Sequence, residues 1–396
     1  MLRAEPLHRI AGVVFLVTLT SVGCERSSSK PADASKPDGS RADSKPFSSD
    51  AGATDTGSLF AADTDPAQDV ESSSSEAGTA ISPVNGGSDA EKQPTTMATI
   101  VVLPDTQYYN NDYSGHAPVF AMQTNWILEQ KLPLNIQAVL HVGDIVDNCN
   151  SVNQWTNANA AMRLLDGHVP YFVVSGNHDT DDRRRGLIND YFGPASLPWV
   201  TSTMTIGLIE NSYALVDIGP QEWLVLGLEF GPRDAVMTWA DAVLKAYPNT
   251  PAIIVTHAYL YGDGNRYDIN VSGLDKHQPN YQWYIPQSDE YTPSQGINDG
   301  EMIWQKLILP NPNVRLVFSG HVMSAARLTS TRPDGSRVHQ MLSDYQWLNG
   351  PYFGYGYLRV LQFNFAKKTI QVQTYSPYMD DYLTDDANQF TLDLNL

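Results

Sequence analysis

The chain has 396 residues, 42% hydrophobic and 17% charged, which allows one large domain or roughly two or three ordinary ones. Its 44 acids against 25 Lys and Arg give a net charge of −19, so no nucleic-acid polymer is expected as a partner, since such binders present a basic face to phosphates. Two cysteines cannot make a disulfide framework or a Cys-ligated zinc site.

Residues 1–24 read as a signal peptide. Arg3 and Arg9 precede an apolar stretch from Ile10 to Leu19, too short to span a bilayer, and Ser21-Val22-Gly23 then runs into Cys24. Small residues leading into a lone cysteine resemble a bacterial lipobox, although Ser21 stands where that pattern prefers an aliphatic residue. The resemblance implies lipidation at Cys24 and a membrane anchor at the bacterial cell envelope, periplasmic or outer-membrane. An ordinary secretory signal is the alternative. With Cys24 lipidated, Cys149 is expected to be a lone buried thiol without chemistry.

From Glu25 to Lys92 the chain carries 13 acids and 6 bases among Ser, Ala, Pro, Gly and Thr, with hardly an aromatic. Such a segment buries too little apolar surface to offset the entropy of ordering, so residues 25–96 are expected to be a disordered linker. It would be either a tether for a catalytic domain over residues 97–396 or a spacer without selected length.

From Met97 the texture changes to alternating apolar strands and helices. Strands are predicted at Ala98–Leu103, Gln137–Val142 and Tyr171–Val174, with helices over Ala117–Gln130 and Val152–Leu165. Ser212–Ile218 and Glu222–Leu228 read as an antiparallel pair, followed by a helix over Ala235–Tyr247. Strands Ala252–Thr256 and Val314–Ser319 follow, then a β-rich end with Val338–Leu342, Gly356–Phe363 and Thr369–Thr374. Buried strands alternating with helices indicate an α/β fold whose sheet is covered on both faces. No internal repeat or boundary interrupts residues 97–396.

Asp105, Asp144, Asn177, His257 and His321 each follow a short apolar run, so each can sit at one sheet edge, where α/β proteins place their sites. Carboxylates, an amide oxygen and imidazoles suit transition metals such as Zn, Mn and Fe. Singly these signals are weak; the ordered set is specific.

That set resembles the calcineurin-like metallophosphoesterase family, whose pattern is D-x-H, G-D-x-x-D/N/Y, G-N-H-D/E, a lone His after a strand, and G-H-x-H. Here it reads Asp105-Thr106-Gln107, Gly143-Asp144-Ile145-Val146-Asp147, Gly176-Asn177-His178-Asp179, Thr256-His257 and Gly320-His321-Val322-Met323. The resemblance implies a four-layer α/β/β/α sandwich with mixed central sheets and a pair of divalent or trivalent transition metals. Asp144 would bridge them, and Asn177, His257 and His321 would complete the second site. The first site departs twice: Gln107 replaces a His, as in a secreted bacterial D-x-Q subgroup, and Met323 replaces the second His. This leaves two readings open, a dinuclear site with a weak first metal or a mononuclear site with vestigial ligands.

The implied activity is hydrolysis of phosphomonoesters or phosphodiesters by attack of a metal-bound hydroxide, with a nucleotide or cyclic-nucleotide phosphodiesterase, or a degenerate binder with little turnover, as alternatives. His178 would assist as an acid, Asp179 would orient it, and Asp147 would hold its loop. Arg183, Arg184 and Arg185 could fork a phosphate, though a solvated helix start is the commoner explanation for such a run. The aromatic segment Tyr259–Tyr291 reads either as a substrate wall or as a minor core, with His277 at its surface. The stretches Ser343-Asp344-Tyr345-Gln346 and Gly354–Arg359 resemble the closing segment of secreted bacterial members.

Overall fold

The computed structural model describes residues 96–110, 117–181, 184–268, 296–348 and 353–396. The expected signal peptide, Cys24, the linker, Arg183, His277 and the aromatics Tyr281, Trp283, Tyr284 and Tyr291 lie outside the described residues.

Two seven-stranded sheets face each other. The first has the order β13-β12-β11-β1-β2-β3, with β14 also paired to β12. It contains β1 (Met97–Leu103), β2 (Ile136–His141), β3 (Tyr171–Val173), β11 (Leu358–Asn364), β12 (Thr369–Ser376), β13 (Asp381–Leu383) and β14 (Phe390–Asp393). The second has the order β4-β5-β6-β7-β8-β10-β9. Its strands are β4 (Ser202–Thr203), β5 (Ser212–Ile218), β6 (Gln221–Leu228), β7 (Ala252–Thr256), β8 (Val314–Ser319), β9 (Ala325–Thr331) and β10 (Arg337–Ser343).

Alternation along each strand assigns its side chains to layers, because successive residues of a strand point to opposite faces. Ile100 and Val102 of β1 pack between the sheets with Leu140, Trp223, Val225, Ile253, Phe318 and Leu361. Val101 and Leu103 point the other way, against α2 (Ala117–Gln130) and α3 (Val152–Met162). In the second sheet Leu224, Leu226 and Ile254 turn outward onto α5 (Asp234–Ala246) and α6 (Gly300–Ile303). The result is the expected four-layer α/β/β/α sandwich of mixed sheets.

The parallel ladders aim the site. β1, β2 and β3 run parallel, as do β6, β7, β8 and β10, so their carboxyl ends emerge along common edges. Most expected elements form within a residue or two of their predicted bounds. The helix predicted over Val152–Leu165 is α3 plus a tighter turn at Arg163–Leu165, and α3 starts at Ser151, whose side chain accepts from the Gln154 N–H. Strand β9 has no sequence counterpart, since its alternately exposed AARLTST carries no apolar run.

One expectation is corrected. Cys149 is fully buried but is disulfide-bonded rather than a lone thiol. The lone-thiol expectation depends on a lipid at Cys24, on which nothing in the structure bears.

Trp223 is fully buried between the sheets, edge-on to Phe363 at 5.6 Å. Trp223→Ala should therefore lower unfolding stability by about 3–5 kcal/mol, read as a reduced urea midpoint. A loss under about 1 kcal/mol would contradict this packing.

Candidate metal centre

The carboxyl ends of six strands supply the residues of one cluster. β1 leads to Asp105 and Gln107, β2 to Asp144, β3 to Asn177, His178 and Asp179, β7 to His257, β8 to His321, and β10 to Asp344. Asp144 and His321 hold positive φ, 50° and 75°, a region that side chains other than glycine rarely occupy and that clusters at functional sites.

Four of these groups converge. The Asp144 Oδ2 to His257 Nε2 distance is 3.3 Å, and His257 Nε2 to Asn177 Oδ1 is 3.1 Å. His321 Nδ1 lies 2.8 Å from Asn177 Oδ1 and 3.3 Å from His257 Nε2. His257 Nδ1 is 2.9 Å from the Val142 carbonyl, which only accepts, so Nδ1 carries a proton and Nε2 is the nitrogen that faces the cluster. Burial opposes a charge on the ring, but Asp144 raises the His257 pKa, so a metal there would displace the Nε2 proton. Ligand atoms about 2.1 Å from one ion lie roughly 3.0–3.4 Å apart at octahedral to tetrahedral angles. Three of the four observed spacings fall in that range and the fourth, 2.8 Å, lies just below it, and Asp144, His257 and His321 form a set that could hold a metal ion.

Beside it lie Asp105 and Gln107. Asp105 Oδ2 accepts from the His321 backbone N–H at 2.9 Å, while Asp105 Oδ1 and Gln107 Oε1 are buried without a hydrogen-bond partner. Buried polar atoms are almost always paired. Met323, in the place of the family's second His, is 40% exposed.

The glycines of the two motifs are where the chain must approach these carboxylates closely. A Cβ at Gly176 would overlap Asp144 Oδ1, and one at Gly320 would overlap Asp105 Oδ1. His141, unassigned by the sequence reading, bridges two of the loops: its Nε2 meets Thr106 Oγ1 at 3.0 Å and its Nδ1 accepts from the Gly143 N–H at 3.2 Å. Burial and neighbouring His257 push its pKa down to about 3, so it is neutral.

The electrostatics are those of crowded buried acids. Burial, Asp344 and Asp144 raise the Asp105 pKa well above the usual carboxylate range. Burial and Asp144 push Asp179 up to about 7, and Asp344 is likewise pushed to about 7. Burial would raise Asp144 too, but the His257 and His178 imidazoles hold it below its ordinary value. Burial and His257 lower His321 to about 3.

The carboxylate that orients His178 is not the expected one. Asp179 accepts from the backbone N–H groups of Ile145, Val146 and Gly176 at 2.8–3.1 Å, stapling two loops together. His178 Nδ1 instead meets the Asp147 carbonyl at 2.9 Å and the Asp147 carboxylate at 3.3 Å, and its backbone N–H donates to Asp144 Oδ1. Burial opposes its protonation, but Asp144 and the Asp147 contacts raise the pKa to about 9.

Neither described arginine of the 183–185 run is presented as a phosphate fork. Arg184 donates to the Phe230 and Gly231 carbonyls and pairs with Glu229 at 3.0 Å, while Arg185 pairs with Asp181. In the described part of the aromatic segment, Tyr259 is buried and donates to Gln340 Oε1, and Tyr267 packs with Phe230, Ala258 and Ile297. That part is a minor core.

The family model described as calcineurin-like phosphoesterase matches residues 98–325. The chain belongs to the calcineurin-like phosphoesterase family. Metal-dependent phosphoester hydrolysis is the activity general to that family. Among similar proteins, the uncharacterized protein YvnB of Bacillus subtilis (strain 168) is 36% identical over 318 residues, 76% of this chain and 22% of that one, so the chain spans under a quarter of that relative. Probable inactive purple acid phosphatase 27 of Arabidopsis thaliana is 32% identical over 72 residues, 18% of this chain and 12% of that one. The purple acid phosphatase PPD1 from yellow lupin (Lupinus luteus) seeds is similar in structure, with a TM-score of 0.44 and 16% identity over 75% of this chain and 54% of that one.

Two residues of this cluster have roles that the motifs do not show: Asp344 lies only within a stretch resembling other members, and Asp147, not Asp179, meets the His178 imidazole. In metal-free protein the protonated His178 contributes stability fully below about 6.5, lost as pH rises through about 9. Asp147→Asn should lower the His178 pKa, followed by NMR in the presence of chelator, and narrow that window. An unchanged pKa in Asp147→Asn together with a lowered one in Asp179→Asn would restore the original assignment.

Proposed function

We propose that this protein is an exported metal-dependent phosphoesterase that uses Asp144, Asn177, His257 and His321 to hold one metal and Asp105, Gln107 and Asp144 to contribute to a second. The observation that carries the reading is the convergence of four ligand-type side chains, each within 3.3 Å of at least one other, with the His257 Nδ1 engaged by Val142 so that Nε2 faces the cluster. The buried unpaired oxygens of Asp105 and Gln107 fit a cation beside it. Bound metals of this kind polarise a phosphoryl oxygen and lower the pKa of an attacking water.

The chain's own contribution is to position and to donate a proton. His178, with Nδ1 engaged by Asp147, has Nε2 left to face a substrate oxygen and protonate the leaving group. Asp179 keeps the Asp144 loop and the Asn177 loop in mutual register through its three backbone N–H contacts. Phe230 packs 5.7 Å from the His257 ring and 5.6 Å from the His321 ring, fixing both imidazoles from the apolar side. The substrate class is a phosphomonoester or phosphodiester.

A second reading, a member that binds metal with little turnover, is favoured by exposed Met323 and by the similarity to probable inactive purple acid phosphatases. Full-length protein loaded with Mn²⁺ or Zn²⁺ should hydrolyse para-nitrophenyl phosphate or its bis-ester. Bound metal without hydrolysis of either would favour the second reading. His178→Ala should lower kcat by roughly 10²–10⁴-fold with metal content unchanged, and full activity in Asp144→Ala would overturn the site.

Export rests on the segment from Arg3 to Cys24, and the disulfide at Cys149 fits an oxidising compartment. With two cysteines in the chain, a lipid thioether on Cys24 requires Cys149 to lack that partner. The intact mass of envelope-purified protein should show removal of the segment ahead of Cys24 and, with the disulfide in place, no diacylglyceryl addition; an uncleaved N-terminus would contradict export.

A further inference from the structure

We propose that Asp344 is a ligand of the first metal position, and that it makes this position an all-oxygen site for a hard cation such as Mn²⁺, beside a nitrogen-bearing site that suits Zn²⁺. The inference rests on the phosphoesterase reading and names how its weaker half is built. Strand β10 runs parallel to β8 with Leu342 opposite Ser319. Continued two residues, that register sets Asp344 level with His321, at the edge where the metal ligands emerge. The backbone is pinned there, since the Asp344 N–H donates to the Ser324 carbonyl at 3.1 Å and Asp344 Oδ1 accepts from the Gln346 N–H at 3.0 Å.

That leaves Asp344 Oδ2. It is buried and has no hydrogen-bond partner, the side chain being 1% exposed. Asp105 Oδ1 and Gln107 Oε1 are in the same condition, on residues 2% and 3% exposed. Asp344 and Asp144 both raise the Asp105 pKa, and Asp144 raises that of Asp344, so repulsion links the three carboxylates. Three unpaired oxygens on residues that end strands at one edge are placed to share a cation, which would let both carboxylates ionise where burial otherwise favours their protonation.

Asp344 also accounts for Met323. The family pattern supplies an imidazole two residues after His321, whereas here that position holds a 40% exposed thioether. The replacement carboxylate arrives from the neighbouring strand instead. Asp105, Gln107, Asp144 and Asp344 give only oxygen donors, which suit Mn²⁺ or Mg²⁺, while the two imidazoles of the other position suit Zn²⁺.

Full-length protein, stripped with chelator, would be given one equivalent of Zn²⁺ and excess Mn²⁺, desalted, and its metal content measured, with Mn²⁺ followed by electron paramagnetic resonance. Wild type should hold Zn²⁺ together with Mn²⁺. Asp344→Asn, and Asp344→Ser as a second variant in case one fails to fold, should keep Zn²⁺ and lose most of the Mn²⁺. Variants that retain Mn²⁺ at the wild-type level, or a wild type that binds Zn²⁺ and no Mn²⁺, would overturn the proposal while leaving the imidazole site intact. A wild type that binds neither metal would overturn the phosphoesterase reading as well.

Discussion

The structure depends on one constraint: four carboxylates, those of Asp105, Asp144, Asp179 and Asp344, are buried together where the carboxyl ends of the strands meet. Each is at most 2% exposed. Charges in such a place must be neutralised, hydrogen-bonded or protonated. Asp179 is satisfied by three backbone N–H groups and so belongs to the protein alone. Asp144 is held by two imidazoles and a backbone N–H. Asp105 and Asp344 each keep one oxygen unpaired, and the fold provides nothing among the described residues to cover them.

Much of the local chemistry follows. The glycines at 176 and 320 exist where a side chain would strike Asp144 or Asp105. The left-handed backbone at Asp144 and His321 turns the chain sharply enough to bring a carboxylate and an imidazole to the same point. Neutral His141 ties the first two loops without adding charge. The arginines near the motif are spent on structure, Arg184 against Glu229 and two carbonyls, so no described guanidinium of that run compensates the acids. Protonation or a cation remains as the means of balance, and a cation is the one that leaves both carboxylates ionised.

The amino-acid pattern made the scaffold and half the site legible. Asp105, Asp144, Asn177, His257 and His321 could be found because each directly ends an apolar run, and strand ends in parallel ladders share an edge. Asp344 follows a strand too, β10, but no recurring motif surrounds it, and the parallel pairing of β10 with β8 is a long-range fact that chain order does not reveal. Asp147 and Asp179 exchanged roles for a related reason. Both lie within a few residues of a motif position, and spacing alone does not say which carboxylate faces the imidazole and which faces backbone N–H groups. Strand β9 is hidden in the sequence because one face is solvent-exposed, and the bonding of Cys149 is not legible because a cysteine's partner is a tertiary fact that composition does not carry.

The central claim is that the buried acids and imidazoles surround two cations. Anomalous diffraction from crystals of the full chain soaked in Mn²⁺ tests it most directly. The account predicts two peaks about 3.5–4 Å apart, one among Asp144, Asn177, His257 and His321 and one among Asp105, Gln107, Asp144 and Asp344. No peak within coordination distance of Asp144 would contradict it.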